Sequence, residues 1–169
     1  MKLAIGSDHA GLKLKNRVID LLKKKGIEVT DFGTDNNESV DYPDFGMQVA
    51  EEVSRGQTER GILLCGSGIG MSIVANKYRG VRAALCYDTQ TARLSRKHND
   101  ANILVMGGRL LGEPKALEIV RTWLETKFEG GRHARRIKKI RQIEKNNMNT
   151  PSKRKGRIEV ERNGQAERD

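Results

Sequence analysis

Apolar and polar positions divide the chain into short aliphatic runs separated by amphipathic stretches. Leu3-Ala4-Ile5-Gly6 is the first run, and it closes in the polar turn Ser7-Asp8-His9-Ala10-Gly11. Beyond it Leu12, Leu14, Val18, Ile19, Leu21 and Leu22 recur at helical spacing, with Lys13, Lys15, Asn16, Arg17 and Asp20 assigned to the opposite, polar face and Gly26 as a C-cap. Residues 27–33 alternate as a strand does, and a polar loop then leads through Tyr42-Pro43 into a helix over 42–55. Residues 61–65 give a third strand and 71–78 a third helix. The alternation continues with a strand over 81–87, a polar helix over 89–97 and a strand over 101–106. A last helix opens at Pro114 and is lined by Leu117, Val120, Trp123, Leu124 and Phe128. The tryptophan reads as core.

Five short strands alternating with helices predict an α/β protein, a three-layer α/β/α sandwich on a five-stranded parallel sheet, Rossmann-like in outline. Ligands of such sheets gather outside the carboxyl ends of the strands. The turns after strands one, three and five carry Asp8-His9, the loop that starts at Cys65, and Arg109; His98-Asn99, just before strand five, is expected at the same edge. After Gly130-Gly131 a basic helix begins at Arg132. Residues 147–169 hold only Ile158 and Val160 as sizeable aliphatics and read as a disordered, charged C-terminal tail behind a domain over 1–146.

Composition narrows the class. A chain of 169 residues with 36% hydrophobic and 32% charged positions suits one soluble domain. No apolar run approaches the ~20 residues of a membrane span, so a cytoplasmic protein without membrane contact is expected. Cys65 and Cys86, 21 positions apart, supply neither a disulfide framework nor a zinc-ligand spacing, and Cys86 reads as a small buried residue. The net charge of +10 is not spread evenly: residues 1–130 hold 19 Lys/Arg against 17 Asp/Glu, residues 131–169 hold 13 against 5. A nucleic-acid role for the basic C-terminus is the reading from another class, disfavoured because the tail lacks aromatics for base stacking.

The chemistry concentrates in Cys65-Gly66-Ser67-Gly68-Ile69-Gly70. A thiol ending a strand and preceding a helix sits in a positive backbone field, which favours the thiolate. Such a group serves as a nucleophile or a general base, and the alternating glycines would let backbone N–H groups face an oxyanion. The plain alternative is a tight turn around a buried cysteine. The loop lacks both the dinucleotide spacing and the Lys-Ser/Thr pair of a P-loop. Arg132 and Arg136, four apart, share a helix face and form either a phosphate clamp or a solvated basic patch. His9 and His98 stand among polar residues in turns, which suits proton transfer or anion contact. No two histidines have local metal-ligand spacing.

Several motifs in the same order resemble the type B ribose-5-phosphate isomerases and their galactose-6-phosphate and allose-6-phosphate isomerase relatives: Ile5 to Gly11, Asp41-Tyr42-Pro43-Asp44, Cys65 to Gly70, Ala75-Asn76-Lys77 and His98-Asn99-Asp100-Ala101-Asn102. The likeness covers residues 2 to about 145. It implies an isomerase without metal or cofactor that interconverts ribose 5-phosphate and ribulose 5-phosphate through an enediolate. A six-carbon sugar phosphate is the alternative substrate. By the resemblance Cys65 moves the proton between C1 and C2, the amides of Gly66, Ser67, Gly68, Ile69 and Gly70 hold the enediolate oxygen, and His98 assists ring opening. Asn99 contacts the reacting oxygens, Asp8 the sugar hydroxyls, and His9, Arg109, Arg132 and Arg136 the phosphate, with Tyr42 lining the pocket. Part of that family replaces the cysteine by a glutamate in the loop; residues 66–82 hold no acidic residue, so this chain falls in the cysteine branch. The resemblance also implies a homodimer with sites built from both subunits, the His98-Asn99 segment being a candidate for contribution across the interface.

Overall fold

The computed structural model describes residues 1–149, without the side chains of 148 and 149. Of the tail expected to be disordered over 147–169, residues 147–149 instead continue the last helix, and 150–169 lie outside the described residues. Five strands, β1 (Lys2–Ser7), β2 (Glu28–Asp31), β3 (Arg60–Cys65), β4 (Ala83–Leu85) and β5 (Ile103–Gly107), form one parallel sheet in the order β2-β1-β3-β5-β4. The helices are α1 (Leu12–Lys24), α2 (Tyr42–Ser54), α3 (Ile69–Ala75), α4 (Thr89–Asn99), α5 (Glu113–Glu125) and α6 (Arg132–Asn149). The expected α/β/α sandwich is the observed one. Several bounds differ: α3 begins and ends earlier than 71–78, α5 stops before Phe128, and α6 passes residue 146.

The sheet has two apolar faces because strand residues alternate sides. Leu3, Ile5, Ile62, Leu64, Leu104 and Met106 meet α1 and α5, where Val18, Leu22, Ile119 and Trp123 are fully buried. Ala4, Leu63, Cys65, Ile103 and Val105 meet α2 and α3 through Val49, Ala50, Met71 and Ala75. Trp123 is core, as its place in the stripe predicted.

Two polar residues have roles that periodicity assigned otherwise or not at all. Lys15, placed on the polar face of α1 by pattern, is buried at 2% exposure; its Nζ donates to Asp31 Oδ2 at 2.7 Å and to the Thr34 carbonyl at 2.8 Å. A buried ammonium is tolerable only when paired and hydrogen-bonded, and here both partners come from the chain leaving β2. Asn76 faces the open edge of β4: its Nδ2 donates to the Ala83 carbonyl and its Oδ1 accepts the Ala83 N–H, both at 2.9 Å. One side-chain amide thus blunts an edge that would otherwise offer backbone groups to another strand. It also helps explain why β4 spans three residues rather than seven, since Arg82 N–H likewise goes to a side chain, Asn102 Oδ1 at 2.7 Å.

Candidate active site

Cys65 is the last residue of β3, and Asp8 follows β1, its neighbour in the sheet. The crossovers from these two strands run in opposite directions, to β2 on one side and toward β5 and β4 on the other, which is where a doubly wound sheet opens a crevice. The Cys65 side chain is 5% exposed. Gly68 has φ +84°, and a Cβ there would stand 2.5 Å from Leu85 Cδ1 and 3.0 Å from the Met106 carbonyl carbon. Only glycine satisfies both demands. The turn aims Gly68 N–H at Cys65 Sγ, 3.1 Å away, and Ile69 N–H at Ser67 Oγ, 3.3 Å away. Two of the loop amides therefore serve the loop's own side chains, while Gly70, in the first turn of α3, keeps an N–H with no intrahelical partner.

The loop is fixed from behind. Gly108 N–H donates to the Cys65 carbonyl at 2.7 Å and Arg109 N–H to the Gly66 carbonyl at 3.0 Å. Tyr87 Oη donates to the Ser67 carbonyl at 2.8 Å, a contact no sequence pattern announced. In front lies a cavity of about 380 Å³ lined by Asp8, Tyr42, Cys65, Gly66, Ser67, Gly70, Arg109 and Leu110. Tyr42 packs so closely on Gly70 that a Cβ there would lie 2.5 Å from the ring. Asp8 Oδ1 accepts Gly11 N–H at 3.0 Å, which leaves the second carboxylate oxygen to a ligand. Next to it His9 Nδ1 accepts Val40 N–H at 3.2 Å, so a neutral His9 ring carries its proton on Nε2 and presents a donor. The segment that supplies Val40 starts at the anchor made by Lys15 with Asp31 and Thr34.

The other expected site residues are elsewhere, and the topology says why. Parallel strands are joined by helices that carry the chain back, so α4 ends at the amino edge of the sheet, where Gly61 N–H donates to the Asn102 carbonyl. His98 and Asn99 close α4 and therefore lie at that edge, contrary to the expectation that they share the sheet edge of Cys65. Arg82 fixes them there by donating to the Asn99 and Asp100 carbonyls at 3.0 Å. The end of α5 comes to the same edge, with Arg60 donating to the Leu124 carbonyl at 3.1 Å, so Arg132 and Arg136 on α6 start from it too. The two ends of β3 are about 17 Å apart. One chain thus brings together Asp8, His9, Tyr42, the 65–70 loop and Arg109, and separately gathers His98, Asn99, Arg132 and Arg136.

At the amino edge His98 stacks on His133, ring centroids 4.2 Å apart and planes 6° apart. His98, Glu129 and His133 place their ligating atoms within 4.8 Å of one another, a proximity invisible in the spacing of residues 98 and 133. Parallel stacked rings point their in-plane lone pairs side by side rather than at one centre, so this arrangement does not make a ready metal site. Burial, with His98, Arg132 and Arg136 adding to it, pushes the His133 pKa below the usual histidine value, against the opposing pull of Glu129. Cys86 is buried with its pKa raised by that burial, the state of an inert thiol. Two wider clefts, about 670 and 680 Å³, run along α6, and neither touches Cys65 or Asp8. No helix among the described residues is long and apolar enough to cross a membrane.

The sequence profile described as Ribose/Galactose Isomerase matches residues 3–140. The chain is 46% identical to ribose-5-phosphate isomerase B of Escherichia coli, over 85% of this chain and 96% of that protein. It is also 46% identical to a D-erythrulose-4-phosphate isomerase of Pectobacterium atrosepticum, over 83% of this chain and 93% of that one. Among solved structures, ribose-5-phosphate isomerase B of Clostridium thermocellum superposes with a TM-score of 0.85 at 58% identity, covering 87% of this chain and 99% of the other. Matches this extensive reach both the Cys65 crevice and the amino-edge cluster, and on them the chain belongs to the ribose/galactose isomerase family.

Proposed function

We propose that the protein is a sugar-phosphate isomerase that interconverts ribose 5-phosphate and ribulose 5-phosphate through an enediolate. The observation that carries the chemistry is Cys65 Sγ at the floor of a crevice with Asp8, Ser67 and Arg109 at its walls and a glycine turn against the sulfur. A proton next to a carbonyl is weakly acidic, so its removal needs a positioned base and fixed donors for the charge that develops. Cys65 is the base between C1 and C2. The hydrogen bond from Gly68 N–H fixes the direction of its sulfur, and the loop donors face the developing oxyanion. Asp8 takes sugar hydroxyls; His9 Nε2–H and Arg109 reach the phosphate, whose binding orients the sugar. Ribose 5-phosphate is preferred over a six-carbon sugar because the solved relative with 58% identity is named for it.

Ring opening and the rest of the phosphate grip require His98, Asn99, Arg132 and Arg136, which one chain holds far from Cys65. A second copy supplies them in a homodimer. Exposed Ile69, Ile73, Leu110, Ile140 and Ile143 offer the apolar surface such a contact would cover. A domain over 1–146 suffices for this chemistry, and we place the enzyme in the cytoplasm, where reduction keeps the Cys65 thiol free.

The test is Cys65→Ala assayed in both directions. The expected result is a fall in kcat of about 10³-fold with KM nearly unchanged. Turnover of both sugars at the wild-type rate would rule out the thiol as base.

A further inference from the structure

His133 is unused by the mechanism above, yet it is 3% exposed and touches two residues that the mechanism needs. Its ring is stacked on His98 at 4.2 Å. Its Nε2 accepts the Arg132 Nε–H at 3.4 Å, so its own proton in the neutral form is on Nδ1. The surroundings hold this arrangement. Glu129 N–H donates to the Lys97 carbonyl at 3.1 Å, Lys97 Nζ pairs with Glu129 Oε2 at 3.1 Å, and Glu129 Oε1 is 3.9 Å from His133 Nε2. The C-terminus of α4 and the start of α6 are thereby tied around one pair of rings.

We propose that His133 is a positioning residue: its neutral imidazole holds the His98 ring by stacking and the Arg132 guanidinium by accepting a hydrogen bond, so that the ring-opening acid and a phosphate clamp are presented together. The inference rests on the proposed reaction. Two imidazoles face to face do not both carry a proton cheaply, and the buried ring beside Arg132 is the worse place for one. His98 is only partly buried, and the His133 ring lying flat against it, planes 6° apart, fixes the direction in which its ring nitrogens point. Accepting from Arg132 Nε leaves the two terminal nitrogens of that guanidinium for phosphate oxygens.

The two directions of the reaction separate this role from a merely structural one. Ribose 5-phosphate is a closed furanose and must be opened. Ribulose 5-phosphate cannot close a five-membered ring, because its O5 carries the phosphate. His133→Gln keeps an acceptor for Arg132 and loses the stacked ring. It is expected to lower kcat about tenfold or more from ribose 5-phosphate while leaving kcat from ribulose 5-phosphate within about threefold and KM unchanged. His133→Phe keeps a ring and loses the acceptor, and should raise KM for both sugars with no difference in kcat between directions. A loss in the Gln variant that is equal in both directions, or absent, overturns the proposal. So does an unchanged KM in the Phe variant, which decides alone if the Gln variant does not fold. A wild-type enzyme that turns over neither sugar would instead remove the reaction assignment.

Discussion

The two edges of one sheet carry the two groups of proposed site residues, and they are built differently. At the carboxyl edge Cys65, Gly66 to Gly70, Asp8 and Arg109 hang directly from strand ends, and backbone hydrogen bonds from Gly68, Gly108 and Arg109 fix them. At the amino edge His98, Asn99, Arg132 and Arg136 sit on helix ends, held by side chains: Arg82 on Asn99 and Asp100, His133 on His98 and Arg132. The first group lies together within one chain, whereas in the proposed reaction the second reaches the substrate only across a subunit contact. Strand-end sites thus inherit the rigidity of the sheet, and helix-end sites need their own positioning network.

The proposed separation of the two groups between subunits carries the largest predicted effect. Homodimers of Cys65→Ala and of His98→Asn should each lose most activity toward ribose 5-phosphate. Mixed and allowed to exchange subunits, they should recover about a quarter of the wild-type rate, because half the dimers are mixed and each has one intact site. No recovery, with exchange verified by mass spectrometry, would mean that Cys65 and His98 do not share a site across the subunit contact. Gly68→Ala attacks the strand-end half: positive φ and the collisions with Leu85 and the Met106 backbone should cost about 3 kcal/mol in urea unfolding. Its kcat should fall in both directions alike.

Arg136→Ala attacks the helix-end half more gently. It should raise KM about tenfold for either sugar with kcat little changed, and a kcat loss that matches the KM change would place Arg136 in the chemical step. The smallest effect concerns acid. The His133 pKa is lowered in the folded protein by burial first, so the unfolded chain binds more protons there and stability falls as pH drops through the ordinary histidine value of 6.5. His133→Phe should flatten that part of the curve of Tm against pH, while His98, Glu129, Arg132 and Arg136 keep their own dependence. An unchanged slope would show that His133 does not titrate there.

Much of the carboxyl-edge site was legible because local order creates it. An apolar run of strand length, a cysteine and glycines at alternate positions specify a strand end and a tight turn whatever surrounds them. Asp8-His9 was readable for the same reason. The amino-edge placement of His98 was misjudged: in a parallel sheet a residue just before a strand lies at the opposite edge from one just after it, so His98 before β5 cannot share the edge of Cys65 at the end of β3. Lys15 was assigned to solvent because lysine usually faces water; its burial depends on Asp31 and Thr34, sixteen and nineteen positions away.

The sequence by itself determined the alternation of strands and helices, the glycine turn after Cys65, the family and the set of candidate reactive groups, since these follow from neighbours within a few residues. The tertiary structure alone decided which of these candidates meet. Strand order put Asp8 beside Cys65, helix return put His98 and Arg132 away from it, and the meeting of α4 with α6 placed His133 on His98. Each of those contacts joins residues more than thirty positions apart, where the path of the backbone rather than any local preference sets the distance.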